Sequence, residues 1–420
     1  MSPTLCDEPG LLLPIGEERL PPGARAVLYV VALVSIIFSS FHVAKCLLDA
    51  SLSIAHGCSA ATKSTDGTVA LLGVVVIACG IAAPEVLLSI IELSSNNFYV
   101  EGRPAAVVDT GAFGLLGVSA ACAMAVPAHA VRKLAAPLVA LTLICCVVLS
   151  YGYLALILLV TSPGVVEIWE ASAAVMLLPV VAFGLARVSA AQPLGVAFAL
   201  REGRDGAADA AISTSRGCRL LVPPTRHCGD WPTVVVCVCC GGVLSSLSGD
   251  VAAQLGCVLG LGSAITATFI FQPAAAATQL FCARHAALHA AHADLAVAII
   301  AGLNIAAVST AVGLPWLVAA TYWAVAGPTD EWRRRYPEAA AQLGDTAALV
   351  VPAGDIGPAV GVYCACAAAA VGFLALRRVV WHGAELGGSP AARMGTSCVL
   401  FGLWVVYGLW RTKRGARLIE

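Results

Sequence analysis

Long apolar runs alternate with short polar connections along almost all of the 420 residues. A helix rises about 1.5 Å per residue, so about 20 apolar residues cross a hydrocarbon layer roughly 30 Å thick. Runs of that size predict spans at 26–46, 68–93, 105–126, 135–160, 165–186, 233–254, 257–283, 294–325, 356–376 and 395–410. The predicted fold class is an all-α polytopic membrane protein of about ten helices.

Polar segments divide the pattern. Five spans precede the stretch 187–232, which carries Arg201, Glu202, Arg204, Asp205, Arg216, Arg219 and Arg226, and five follow it. The chain is therefore read as a tail at 1–25, a first five-helix half at 26–186, a short cytoplasmic loop at 187–232, a second half at 233–410 and a tail at 411–420. An odd number of spans in each half puts the halves in opposite orientations, the inverted-repeat plan of many membrane carriers. A second polar connection, 327–355, contains "DEWRRRYPE". Basic loop residues place the central loop, Arg132-Lys133 and Arg377-Arg378 inside and the N-terminus outside. Arg411, Lys413, Arg414 and Arg417 then fall outside, against the same rule.

Composition narrows the class. Apolar residues make up 59% of the chain and charged ones 12%, about half the share in a soluble domain. The net charge of −1 says nothing about a nucleic-acid partner, but the sequence holds no basic stripe that would bind one, and none is expected. Most of the 17 cysteines lie inside apolar runs and are read as small buried side chains; Cys237, Cys239 and Cys240 lack zinc-site spacing. Residues 1–24 hold no long apolar core, so no cleavable signal peptide is expected. No Walker lysine follows the glycine repeats, and nothing points to covalent catalysis or a soluble enzyme.

In inverted-repeat carriers the site lies between the repeats, on helices interrupted at Gly or Pro. "ACGIAAPEVLLSIIEL" holds Gly80, Pro84 and Glu85 inside an apolar run. Proline frees a carbonyl one turn earlier, and Glu85 adds a negative charge, so the pair offers oxygen ligands to a hard cation. Intramembrane acids are costly and usually functional. The next span carries a second acid, Asp109, with Thr110, Gly111 and Gly114 in "VVDTGAFGLLG". His285, His289 and His292 are read as a solvated helix end, Glu167 and Glu170 as interfacial beside Trp169, Asp250 as a helix-end cap or an entry-path acid, and Asp294 as a helix-start acid.

These stretches resemble the sodium/calcium exchanger family. "ACGIAAPEVLLSIIEL" is similar to the family's first repeat, A-L-G-S-S-A-P-E-I-L-L-S-V-I-E, and "TSPGVVEIWE" at 161–170 to its I-S-P-G-V-V-E-V-W-E. "AHADLAVAIIAGLNIAAVSTAVGLPW" resembles part of the second repeat, and the likeness covers most of 26–186 and 222–410. The resemblance implies two inverted five-helix halves. The second, third, seventh and eighth helices would hold sodium or calcium, and the first and sixth would slide over them. It implies a calcium:cation antiporter rather than an enzyme, with no cofactor, with Ca2+ and Na+ as transported partners in a lipid bilayer, and in a membrane it does not specify. Animal members carry a long cytosolic loop with calcium-binding β-domains, for which 187–232 is too short.

The departures set the open question. The serines before the Pro-Glu pair are Ile81 and Ala82 here, and Asp109, Thr110 and Gly114 replace a Gly, a Ser and an Asn. In the second repeat the Pro and acid become Thr278 and Gln279, and only Gly302 and Asn304 persist further on. The candidate cation ligands are thus Glu85, Asp109, Thr110, Gln279 and Asn304, with helix breaks at Gly80, Pro84, Gly111 and Gly302. A neutral amide at Gln279 supplies an oxygen but no charge. Either Asp109 joins Glu85 as a metal ligand and restores the second carboxylate, or the site has lost transport or changed its selectivity to a monovalent cation or a proton.

Overall fold

The computed structural model describes residues 21–62, 66–100, 104–127, 130–135, 137–191, 231–290, 292–354, 356–380 and 385–417. Most of the expected central loop therefore lies outside the described residues. Among those described, nine helices are long and apolar enough to cross a membrane; a bent helix pair would make a tenth. The chain is an integral, multi-pass membrane protein.

The first two spans are the helices Pro22–Thr62 and Asp66–Ser95. The third runs from Pro104–Ala112 through a π-helical turn, Phe113–Gly117, into Val118–Ala125. The fourth is Pro137–Leu156 with a closing π turn, Ile157–Thr161, and the fifth is Ile168–Ala191. The sixth is Trp231–Val258. The seventh is the bent pair, Ser263–Ala275 and Ala277–His289, whose axes differ by 51°. The eighth joins Asp294–Ala306 to Gly313–Ala326 through the π turn Ala307–Val312. The ninth and tenth are Ile356–Val380 and Pro390–Arg417.

Four two-residue strands show how the halves are arranged. β1 (Val131–Arg132) follows the third span and pairs antiparallel with β4 (Leu386–Gly387), which precedes the tenth. β2 (Val165–Val166) precedes the fifth span and pairs with β3 (Leu349–Val350), which precedes the ninth. β1 and β3 both lie between the third and fourth spans of their halves, yet they sit at opposite ends of the molecule. The halves therefore run in opposite directions. Gly387 makes the first pairing possible: its φ is +87°, and a Cβ there would lie 2.3 Å from the Ala130 carbonyl oxygen. At the same end Asp294 accepts a 2.8 Å bond from the Ala135 amide through Oδ2.

Two sequence expectations need correction here. The connection 327–355 is not merely polar: it forms the helices Asp330–Arg335 and Pro337–Leu343, buries Trp332 completely and lays the Arg335 guanidinium 4.6 Å from the Tyr99 ring centre. The cysteines are not uniformly buried and unpaired. Twelve of those described are free, three of them exposed, whereas Cys257 is disulfide-bonded. Disulfides form in oxidising compartments. Cys257 ends the sixth span, at the end opposite Arg132, Lys133, Arg377 and Arg378.

One contact shows how a proline is accommodated in the core. Pro179 lies inside the fifth span and offers no N–H to the Val175 carbonyl. Ser309, in the π turn of the eighth span, donates to that carbonyl at 2.7 Å and accepts from the Leu178 amide at 3.3 Å. Ser309 is fully buried. Ser309→Ala should cost about 1–3 kcal/mol, because it leaves a buried carbonyl without a donor. Adding Pro179→Ala should recover most of that loss by restoring the helix's own N–H. Denaturant unfolding of the two variants checks both effects.

Candidate cation site

The second, third, sixth, seventh and eighth spans converge on a cavity of about 40 Å3, with Tyr151 entering from the fourth. Such a space holds a water or a partly dehydrated cation. Its lining brings together four of the five sequence-derived ligands: Glu85, Thr110, Gln279 and Asn304. Ser245 and Thr278 add two hydroxyls.

Glu85 is supplied by the second span, but not at a break. The helix Asp66–Ser95 is continuous through Pro84. This corrects the expected interruption at Gly80 and Pro84: proline removes one hydrogen bond and a neighbouring helix can support the backbone through it. The Gly80 carbonyl still lacks the N–H that residue 84 would have donated. Gly241 of the sixth span supports the proline; a Cβ there would come 3.0 Å from the Pro84 ring. The Glu85 carboxylate is partly buried, and it is the one acid lining the cavity. Among the described residues no group of three acidic, histidine or cysteine side chains is placed to hold a metal.

Asp109 is not part of the lining. Its Oδ1 accepts from the Tyr407 hydroxyl at 2.6 Å and from Arg411 Nε at 2.7 Å, both on the tenth span. Asp109 and Arg411 side chains are each 12% exposed, so this is a largely buried ion pair. The expected pairing of Asp109 with Glu85 as metal ligands is therefore corrected. An acid already neutralised by a guanidinium brings no net charge to a site beside it.

The third span contributes Thr110 and Gly111, just before its π turn. Gly111 is no break, since helix and π turn are continuous; it is a notch. A Cβ on Gly111 would lie 2.0 Å from the Tyr151 hydroxyl oxygen and 2.9 Å from Asn304 Oδ1. The phenol uses that notch to donate to Asn304 Oδ1 at 3.1 Å, while the Asn304 amide nitrogen donates to the Ile300 carbonyl at 2.8 Å. Gly114 makes the same kind of room for Gln279, whose amide nitrogen would lie 2.8 Å from an added Cβ. Gly111→Ala should therefore displace Tyr151 at a cost of about 1–3 kcal/mol, as overpacked cores do. Combining it with Tyr151→Phe should return part of that loss in a thermal-unfolding series.

In the second half the helix is interrupted at Ala276, not at Gly302. Gly302 lies within the unbroken helix Asp294–Ala306. Ala276 has φ −81° and ψ 8°, and the bend there delivers Thr278 and Gln279 to the cavity. Pro273 and the π turn Ala267–Phe271 precede the bend. Both π turns in the third and eighth spans begin within three residues of a lining residue, a common place for such turns.

Sequence reasoning missed Tyr151 and Ser245. Tyr151 sits in "LSYGYLAL" among apolar neighbours, and only its register against Gly111 distinguishes it from Tyr153, which donates to the Glu170 carbonyl instead.

No protein-family model matches the chain. Mouse sodium/calcium exchanger 2 is 31% identical over 189 residues, covering 45% of this chain and 18% of the mouse protein. The fruit-fly sodium/calcium exchanger Calx is 32% identical over 190 residues, covering 44% and 18%. Over those residues the chain is similar to sodium/calcium exchangers. The match spans only about a fifth of the length of those exchangers. Among solved structures, the sodium-calcium exchanger NCX_Mj soaked with zero Na+ and Ca2+ aligns over 90% of this chain and 98% of its own, with 10% identity and a TM-score of 0.49. In this chain a neutral Thr278-Gln279 pair lines the same cavity as Glu85.

Proposed function

We propose that the chain is a secondary cation antiporter of the exchanger type, that its transport site is the Glu85 cavity, and that this site carries one positive charge at a time. The observation that carries this reading is the single carboxylate in the lining, surrounded by neutral oxygens. Even a monovalent ion has an idealised desolvation cost of order 20 kcal/mol in a low dielectric. One carboxylate with hydroxyl and amide oxygens offsets that for a sodium ion or a proton. A calcium ion calls for a second negative charge, and Asp109 is held by Arg411. The similarity to sodium/calcium exchangers favours a second reading, sodium-for-calcium exchange.

Flux into vesicles holding purified protein separates the readings. The single-charge reading expects exchange of labelled sodium against sodium or a proton gradient, with little sodium-driven calcium entry. Calcium entry as strong as sodium exchange would overturn it in favour of the second reading. No ion flux of any kind would overturn both.

A further inference from the structure

A second cavity, of about 220 Å3, lies apart from the cation site. The fourth, eighth and ninth spans each line it with residues at i, i+3, i+4 and i+7: Pro137 to Ile144, Ala293 to Ile300, and Val371 to Arg378. That spacing is one face of a helix. Three helices thus present parallel stripes to one slot, each about 10 Å long at 1.5 Å per residue. Alanines stand in the middle of all three stripes, Ala140, Ala296 and Ala375, and their small size leaves the space open. Apart from Ser119 of the third span, the walls are apolar except at one end.

That end is positively charged. Arg378 and Glu385 line it and are joined at 2.5 Å. The other Glu385 oxygen, Oε2, accepts from the Leu134 amide at 3.0 Å. Arg377 is buried beside them and donates to the Glu385 and Gly387 carbonyls. Two guanidiniums therefore stand beside one carboxylate, which is bonded to Arg378 alone of the two. Lys133 adds a third, exposed cation; its own carbonyl accepts from Ala293, which lines the slot. Asp294, the other acid at this end, is engaged by the Ala135 amide.

We propose that this slot is a binding site for an anionic glycerophospholipid of the surrounding bilayer. One acyl chain lies between the fourth, eighth and ninth spans, and the phosphate sits against Lys133 and the outward N–H groups of Arg378. An apolar slot ending in a net positive charge fits that amphiphile. A neutral lipid leaves the cations unbalanced, and a free phosphate leaves the apolar walls empty. Basic residues beside the cytoplasmic leaflet attract anionic lipids in the same way.

The test uses the full chain purified in detergent and titrated with phosphatidylglycerol or phosphatidylcholine, with bound lipid counted by native mass spectrometry and stability followed by thermal unfolding. Phosphatidylglycerol should bind about fivefold or more tightly than phosphatidylcholine. Lys133→Gln, a change at an exposed side chain, should remove most of that preference. Ala375→Phe, also at an exposed position, should fill the slot and reduce retention of both lipids. Inorganic phosphate alone should give no stabilisation. Equal binding of the two lipids overturns the proposal, and so does a phosphatidylglycerol preference that survives both substitutions. Stabilisation by inorganic phosphate equal to that by the lipid would also overturn it, since the apolar walls would then play no part.

Discussion

Labelled-sodium exchange by the Glu85→Gln protein is expected to fall on the order of a hundredfold to a thousandfold below that of the natural chain. The amide keeps the shape and one oxygen of the carboxylate but removes the only negative charge in the lining. Breaking a desolvated charge pair costs about 3–5 kcal/mol, which corresponds to a loss of that size in affinity. The folded protein should survive the change, because no described group hydrogen-bonds the Glu85 carboxylate and a neutral side chain suits a membrane interior better than a charged one. Unchanged thermal unfolding with abolished exchange is the expected combination. Normal exchange by a well-folded Glu85→Gln protein would remove the cavity from the transport path. Thr110→Ala and Ser245→Ala, each deleting a neutral hydroxyl, should have much smaller effects in the same assay.

Arg411→Met is expected to be the most destabilising of the substitutions considered. It leaves Asp109 as an uncompensated acid in a largely buried position, at a cost of about 3–5 kcal/mol. Asp109→Asn alone strands the guanidinium and should cost a similar amount. The double variant Asp109→Asn/Arg411→Met should regain most of the stability, since replacing both members of a buried pair is often close to neutral. Stability of the four proteins, measured as a double-mutant cycle, checks this pattern. Sodium exchange by the double variant provides a separate control. It should remain near the natural level, because Asp109 serves the contact between the third and tenth spans rather than the cavity. Loss of exchange in a stable double variant would return Asp109 to the transport site.

The spans were legible in the sequence because hydrocarbon thickness sets the length of an apolar run, and all ten predicted segments have helical counterparts. The positions of Glu85, Thr110, Gln279 and Asn304 in the lining also accord with the motif comparison. What could not be read was which face of a span each polar residue occupies. Asp109 and Thr110 are neighbours in sequence, but about 100° apart around a helix, and only one faces the cavity. The partner of Asp109 could not be found by motif either, because Arg411 lies 302 residues away. Glycine and proline were misread for a different reason. They mark interruptions on average, whereas here Gly111 makes room for Tyr151 and Pro84 is carried within a continuous helix. The real bend, at Ala276, falls three residues after Pro273, at a position that is itself neither Gly nor Pro.

The strand pairs also constrain how the molecule can be made. β1 and β2 belong to the first half, and each finds its partner only in the second. The same holds for Asp109, which meets the Arg411 guanidinium in the tenth span. Domains form as units during synthesis, from the N-terminus onward. A ribosome that has finished the first five spans has therefore inserted a bundle whose two strands still await their partners. That half-protein is a natural client for chaperones and quality control until β3, β4 and the tenth span arrive. Translation, rather than either half alone, sets the moment at which the fold becomes complete.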